Sequence, residues 1–246
     1  MIVFAAIAPH GDLDGELDDV RELRGAMEEL GRRFDAAAPE TTVVVTPHTV
    51  HVEGHLAVVT SGCVGETATD RRLAHAILRS LRAEGVPALG VSYGGNDPAE
   101  AAMPMDWGTE IPLRFMQAER IVVVSPARDR PLAEHVRAGA AIARATADGR
   151  VALIASADHG HAHDPDGPYG FDPAAAAYDA RVQEILHSGR LDFEPLASLV
   201  GDAKADSLWQ LLVLQGAVGE DVAVDVLAYA APTYFGMLCA CTGLDR

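Results

Sequence analysis

Seven of the ten histidines in this 246-residue chain stand after three apolar runs. Imidazole is the most common transition-metal ligand and the side chain whose protonation is most easily tuned near neutral pH. Histidines that lie at the ends of different strands, along one edge of a sheet, therefore predict a metal-centred active site. The runs and their histidines are Ile2–Pro9 with His10, Thr41–Thr46 with His48, His51 and His55, and Val151–Ser156 with His159, His161 and His163.

The second cluster is predicted to contain one ligand. His48 follows its strand directly, whereas Val50 and Val52 favour extended or irregular backbone over a helix that would present two ligands on one face. We therefore expect His48 to bind the metal and His51 and His55 to support the ligands or line the pocket. The alternative is that His51 and His55 are exposed loop residues.

The third cluster has two interpretations. A histidine-rich tract can bind metal through its composition alone. Alternatively, one histidine between Asp158 and Asp164 acts as a general acid or base whose pKa is set by a carboxylate.

A carboxylate would complete a metal site, and Asp206 is one candidate. It stands at the start of the helical run Ser207–Leu212, where the alternative is an ordinary N-cap. Two histidines and one carboxylate on one face of an octahedral metal leave three open positions, which is the arrangement of non-haem Fe(II) enzymes. A zinc hydrolase can use the same residue types, and spacing does not separate the two.

Apolar runs alternate with helical patterns along the chain, which predicts an α/β fold with a mostly parallel central sheet flanked by helices on both faces. No repeat or linker divides the sequence, so residues 1–246 are expected to form a single domain. The long loops Gly94–Thr109 and Gly160–Pro173 are typical of functional segments. Predicted strands are Ile2–Ala8, Thr42–Thr46, Leu56–Val59, Pro87–Tyr93, Ile121–Ser125, Val151–Ser156, Val222–Ala230 and Tyr234–Ala240, and predicted helices are Gly15–Phe34, Thr69–Ala83, Leu132–Ala147, Pro173–His187 and Ala205–Val218.

Composition excludes several classes of protein. The formal charge of −17 argues against nucleic-acid binding, which requires a basic face. No apolar run approaches a membrane span, and the first residues predict a strand rather than a signal peptide, so a cytoplasmic location is expected. Cys63, Cys239 and Cys241 do not form a disulfide framework.

Five short motifs, taken in order and spacing, make the chain resemble the class III extradiol ring-cleavage dioxygenases, in the catalytic (beta) subunit-like superfamily that also includes Memo-like proteins. The resemblance spans essentially the whole chain. The motifs are Ala8-Pro9-His10-Gly11, Thr46-Pro47-His48, Asp106-Trp107-Gly108-Thr109 with Ile111-Pro112-Leu113, Ser156 to His161, and Leu211 to Ala217.

The resemblance implies roles for individual residues. His10 and His48 match the two metal-binding histidines, and Asp206 falls nearest the glutamate that is the family's third ligand. The family's catalytic histidine matches His161, with His159 as the competing assignment.

One departure from the family pattern concerns the substrate pocket. Related proteins carry Asp-His-Gly-Thr where this chain has Asp106-Trp107-Gly108-Thr109. Trp107 would offer an apolar wall and one indole donor in place of an imidazole. We therefore include Trp107, with His51 and His55, among the predicted substrate-binding residues.

The function predicted from these residues is ring cleavage of a catechol-like or 2-aminophenol-like substrate by an Fe(II) dioxygenase, in aromatic compound catabolism. The expected partners are a small aromatic substrate and O2, with no nucleic acid and no membrane, and the chain is expected to form a homo-oligomer such as a dimer. Zn, Mn and Cu are the alternative metals. The alternative functions are a Memo-like metal-binding protein without dioxygenase activity and a zinc-dependent hydrolase on the same scaffold.

Overall fold

Eleven strands form one mixed sheet within residues 1–243, which are the residues described by this computed structural model. The main path through the sheet runs β10-β11-β1-β9-β2-β8-β5-β4-β7, while β3 pairs with β8 and β6. The strands are β1 (Ile2–Ala8), β2 (Thr41–Val45), β3 (Leu56–Val59), β4 (Cys63–Val64), β5 (Thr67–Thr69), β6 (Ala88–Val91), β7 (Ala102–Met103), β8 (Arg120–Ser125), β9 (Val151–Ser156), β10 (Asp225–Ala230) and β11 (Met237–Gly243).

The four central strands β1, β9, β2 and β8 are parallel and lie nearly level with one another. Ala8 pairs with Ser156 at the ends of β1 and β9, and Val45 pairs with Ala155 and Val124. These strands are continuous apolar runs because both of their faces are covered. Their carboxyl ends therefore meet at one edge of the sheet.

Helices cover both faces of this sheet. Leu23, Met27 and Phe34 form a buried stripe on α1, which packs against one face, while α2, α4, α5 and α7 pack against the other. This arrangement confirms the predicted fold class. The helices are α1 (Asp18–Ala37), α2 (Arg71–Ala83), α3 (Trp107–Leu113), α4 (Leu132–Ala145), α5 (Pro173–Ser188), α6 (Ala197–Ala203) and α7 (Leu208–Val218).

The structure corrects several predicted boundaries. The predicted loop Gly94–Thr109 contains β7 and the first residues of α3, and the predicted helix from Ala205 begins only at Leu208. Short elements such as α6 and β7 were missed because two to seven residues give no measurable periodicity.

The three cysteines are free, and Cys239 and Cys241 are buried, in agreement with the predicted absence of a disulfide framework. Among residues 1–243, no helix combines the length and the apolar character needed to cross a lipid bilayer.

Helices α4 and α7 touch through their backbones at two glycines. A Cβ atom at Gly139 would overlap the carbonyl oxygen of Val213, and one at Gly216 would overlap the carbonyl oxygen of Val136. Because α7 begins directly after residues 206–207, this close contact sets the position of the segment that contains Asp206.

Replacing Gly216 with Ala is expected to lower the free energy of unfolding by about 1–3 kcal/mol, because the two helices must separate. The matched control is Gly25→Ala in α1, where a Cβ would meet no atom within 4 Å. There, Ala should raise the stability by up to about 1 kcal/mol because it restricts the unfolded chain. Urea midpoints at unchanged slope measure both effects. Equal midpoints for the two variants would contradict the close helix contact.

Candidate metal centre

The ends of β1 and β2 bring two imidazole rings together. His10 lies two residues beyond β1 and His48 three residues beyond β2. Their Nε2 atoms are 3.0 Å apart, and the rings are nearly perpendicular. The structure thus places these two histidines close together, as their positions after two strands of the sheet predicted.

The orientation of His10 is set by the end of β9. The Ser156 hydroxyl donates to the carbonyl oxygen of Gly108, and its oxygen lies 2.9 Å from His10 Nδ1. Nδ1–H is therefore the donor to Ser156, which leaves the Nε2 lone pair of His10 directed at His48. A histidine held through its second nitrogen in this way is the usual arrangement for a metal ligand.

His48 is held by the start of α3. Asp106 caps this helix by accepting from the Thr109 amide, and it also accepts from the hydroxyls of Thr46 and Thr49. A Cβ at Gly108 would overlap Thr46 Oγ1 and press on the ring of His48, so only glycine allows this approach.

Asp206 completes the group from outside the sheet. Its Oδ2 lies 3.8 Å from Nε2 of both His10 and His48, and the three ligand atoms all lie within 4.8 Å of one another. Asp206 is buried, and its Oδ1 has no hydrogen-bond partner within residues 1–243. The N-cap position of α7 is occupied by Ser207, so Asp206 is not the helix cap that the alternative interpretation required.

Burial shifts the protonation of all three side chains. Desolvation lowers the pKa of His10 below its ordinary value and that of His48 to about 4. Desolvation also raises the pKa of Asp206 to about 7. Both imidazoles are therefore neutral at pH 7, which is the form that binds a metal. The guanidinium of Arg128 lies 3.8 Å from Asp206 Oδ2, beyond hydrogen-bonding distance.

Asp158 is a second buried carboxylate next to His10. Its Oδ1 accepts from the backbone N–H of His10 at 3.0 Å, and its Oδ2 lies 3.4 Å from His10 Nε2. Burial raises the pKa of Asp158 to about 7. Asp158 therefore supports the loop that contains His10.

The structure places His159 and His161, the two competing candidates for the catalytic histidine, in different surroundings. His159 is completely buried: its Nδ1 lies 2.9 Å from Ser207 Oγ, and its Nε2 has no partner within the described residues. His161 lines the cavity beside the metal-ligand group. The segment is irregular rather than a strand, since the amide of His159 donates to Gly236 and that of His161 donates to Ala203.

His163 lies away from this group, in a polar network around Asp179. The buried Asp179 carboxylate accepts from the amide of Gly160 and from the hydroxyl of Tyr229, and its Oδ2 lies 2.8 Å from His163 Nε2. This network fixes both sides of the loop that positions His161.

The metal-ligand group opens into a cavity of about 870 Å³, a volume typical of small-molecule sites. Its walls include Trp107, whose ring lies 4.2 Å from that of His48, and an aromatic cluster of Tyr169, Tyr234 and Phe235 around His161.

His51 and His55, which are predicted to bind substrate, are not among the residues that line this cavity. His51 is exposed, and His55 Nδ1 lies 2.9 Å from the carbonyl oxygen of Glu53. The segment makes a tight turn at Gly54, whose positive φ lets the backbone of His55 pair with Val52.

Two cationic residues of the cavity were missed by the sequence analysis, namely Arg128 and Lys204. Arg128 follows β8, whose carboxyl end lies at the same edge of the sheet. Its position after a strand end is the feature of the sequence that indicates its place in the cavity. Lys204 ends α6, which was too short to predict.

Comparison with known proteins agrees with this architecture. Protein CA_C1420 from Clostridium acetobutylicum is 22% identical over 197 residues, which cover 72% of this chain and 42% of that protein. The chain thus spans less than half the length of this curated relative. The crystal structure of uncharacterized protein JW3007 from Escherichia coli K12 has the same fold, with a TM-score of 0.65 and 18% identity over 98% of this chain and 100% of that one.

The family described as the catalytic LigB subunit of aromatic ring-opening dioxygenase matches residues 7–237, a range that includes every residue of the metal-ligand group. By this match the chain belongs to the LigB family.

Proposed function

We propose that this protein is a non-haem Fe(II)-dependent extradiol-type dioxygenase that cleaves the ring of a catechol-like or 2-aminophenol-like substrate with O2. The observation that carries the proposal is the group of His10, His48 and Asp206 at one end of a cavity that His161 also lines. Family membership supports a dioxygenase scaffold.

The donor set suits a divalent metal ion. Two neutral imidazole nitrogens face each other, and the Asp206 carboxylate beside them has an unpartnered oxygen within the described chain. A buried carboxylate without compensation is costly, and a dication would supply that compensation. Held by these residues, Fe(II) would offer adjacent positions to the two ring oxygens and to dioxygen.

His161 is proposed to accept a proton from the ring hydroxyl and to return one later. Its Nδ1 lies 2.8 Å from the carbonyl oxygen of His159, so Nδ1 carries the hydrogen and Nε2 is free to accept one. Burial lowers the pKa of His161, which keeps the ring neutral at pH 7. Stacking on Phe235, at 5.3 Å between centroids, fixes the plane of the imidazole.

The walls of the cavity suit a flat aromatic ring. Trp107 is 55% exposed and lies over His48 at the cavity surface, where an apolar face is available for stacking. Tyr169 and Tyr234 lie 6.1 Å apart between their centroids. These residues would exclude water from the ring and orient it.

We expect the anaerobically purified protein to contain iron and to consume O2 with a catechol or a 2-aminophenol. Metal analysis and an oxygen electrode measure the two quantities. Zinc together with ester or amide hydrolysis would instead support the hydrolase. Copper or no metal, without oxygen uptake, would support the Memo-like alternative.

Replacing Asp206 with Ala or Asn is expected to weaken metal binding at least about tenfold, because one of three protein ligands is lost. The fold should persist, since neither change introduces a charge. Asp12→Asn is the matched control, because Asp12 lines the same cavity but is not in the ligand group. Full metal occupancy in the Asp206 variants, measured by titration with a chromophoric chelator, would remove Asp206 from the ligand set.

Replacing His161 with Gln or Phe should leave metal content unchanged and lower turnover by about a hundredfold or more, the usual size of general acid–base catalysis. His75→Gln on the exposed side of α2 is the control and should keep full turnover. His159→Gln tests the competing assignment. If this variant loses all turnover while the His161 variants keep wild-type turnover, His159 is the general acid–base residue.

A further inference from the structure

His159 is a buried histidine to which the proposed reaction gives no role. It is completely buried and is not among the residues that line the cavity. Burial lowers the pKa of His159 to about 4, so the ring is neutral at pH 7 and has one N–H and one lone pair. Burying such a ring is costly unless its nitrogens form hydrogen bonds. The contacts of the imidazole therefore indicate what it does.

Ser207 connects this imidazole to a buried phenol. The Oγ atom of Ser207 lies 2.9 Å from His159 Nδ1 and 2.9 Å from the hydroxyl oxygen of Tyr178, which is on α5. All three side chains are completely buried. If Tyr178 donates to Ser207 and Ser207 donates to His159 Nδ1, each hydroxyl hydrogen has an acceptor. The hydrogen of the imidazole is then on Nε2, which has no partner within residues 1–243.

The hydroxyl of Ser207 is diverted from its usual role at a helix end. Ser207 occupies the N-cap position of α7 but makes no capping hydrogen bond with its side chain. A serine at this position ordinarily accepts from an amide of the first turn. Other helices of the protein are capped in this way, since the side chains of Asp70, Asp106 and Asp172 cap α2, α3 and α5. The side chain of Ser207 therefore attaches the start of α7 to the interior of the protein.

The residue directly before Ser207 is the carboxylate of the metal-ligand group. Asp206 Oδ2 lies 3.8 Å from both facing imidazole nitrogens, and Oδ1 has no partner in the described part of the chain. Metal ligands are usually oriented by hydrogen bonds to neighbouring groups. Here the backbone on either side of Asp206 is fixed instead, by the side chain of Ser207 and by the amide of Ala205, which donates to the carbonyl oxygen of Val200.

The backbone of His159 also contacts the proposed acid–base residue. The carbonyl oxygen of His159 lies 2.8 Å from Nδ1 of His161, and the amide of His159 donates to the carbonyl oxygen of Gly236. The position of His159 therefore affects the position of the His161 ring. Through its imidazole and its carbonyl group, this one residue connects the segment that contains Asp206 with the segment that contains His161.

We propose that His159 is a positioning residue, whose imidazole acts through the Ser207 hydroxyl, oriented by Tyr178, to hold the Asp206 carboxylate where it can bind a divalent metal ion together with the two histidine ligands. The ring acts by hydrogen bonding and neither binds the metal nor transfers a proton. This inference rests on the proposed function for the identity of the metal ligands, but it makes no use of the oxygen chemistry.

Titration of the metal-free protein with Co²⁺, followed by the visible absorption bands, measures metal affinity and coordination geometry without turnover. His159→Leu removes the imidazole nitrogens, and Ser207→Ala removes the linking hydroxyl. Each change should weaken Co²⁺ binding about tenfold or more and alter the bands, as expected when a group that orients a ligand is lost. His159→Asn, whose amide places a polar atom near the position of Nδ1, should keep the affinity within about threefold of the wild type.

His135 provides a matched control. It is also completely buried, and its Nε2 has no partner among the described residues, but it lies on α4 and does not line the cavity. His135→Leu should therefore leave both the Co²⁺ affinity and the absorption bands unchanged. Urea unfolding curves of the metal-free variants show whether each one is folded under the conditions of the titration.

A double-mutant cycle shows whether His159 acts through Asp206. In the protein that carries Asp206→Ala, the further change His159→Leu should alter Co²⁺ affinity by less than about threefold, because the ligand that it positions is already absent. An equal loss of affinity with and without Asp206 would mean that the imidazole acts elsewhere, and would overturn the inference.

Wild-type Co²⁺ affinity in the folded His159→Leu and Ser207→Ala variants would also overturn the inference. If His159→Leu does not fold, Ser207→Ala decides by the same criterion, since it removes a single oxygen atom. The proposed function fails by a different result, namely the absence of oxygen uptake by the iron-loaded wild type with every ring diol or aminophenol. The two failures are distinguishable because Co²⁺ binding needs no oxygen chemistry.

Discussion

A buried carboxylate with one unpartnered oxygen is the constraint around which the site is organised. Removing an ionised carboxylate from water is costly unless opposite charge or hydrogen bonds replace the lost hydration. Asp158 accepts a hydrogen bond from the amide of His10, whereas Asp206 Oδ1 has no partner within residues 1–243. The facing Nε2 atoms of His10 and His48 belong to neutral rings, which can coordinate a cation but carry no positive charge themselves. A bound dication would compensate the charge of the Asp206 carboxylate and would be coordinated by both imidazole nitrogens.

Strand register is what makes this convergence possible. Ala8 is level with Ser156, so the serine at the end of β9 reaches the imidazole that follows β1. A slip of one residue would move His10 by about 3.3 Å and reverse the faces of β1, which places alternate residues in two different cores. The same packing that stabilises the sheet therefore fixes the distance between the candidate ligands.

The parts of the site that follow strands directly could be predicted from sequence, because a strand end is a local feature. His10 and His48 are of this kind. Asp206 could be named from the sequence only as one candidate carboxylate with a helix cap as the alternative, since its position depends on the glycine contacts between α4 and α7. The separation of His159 from His161 and the exposure of His51 depend on irregular backbone with long-range partners, which a periodic pattern does not describe.

The pairing of β1 with β9 and β11 also has a consequence during synthesis of the chain. His10 leaves the ribosome long before the strands at residues 151–156 and 237–243 that flank β1. Until then β1 has neither of its sheet neighbours, and Asp206 is absent as well. The nascent chain therefore has no complete ligand group at that stage, and a metal held by His10, His48 and Asp206 would bind only after residues 206 and 237–243 have been synthesised.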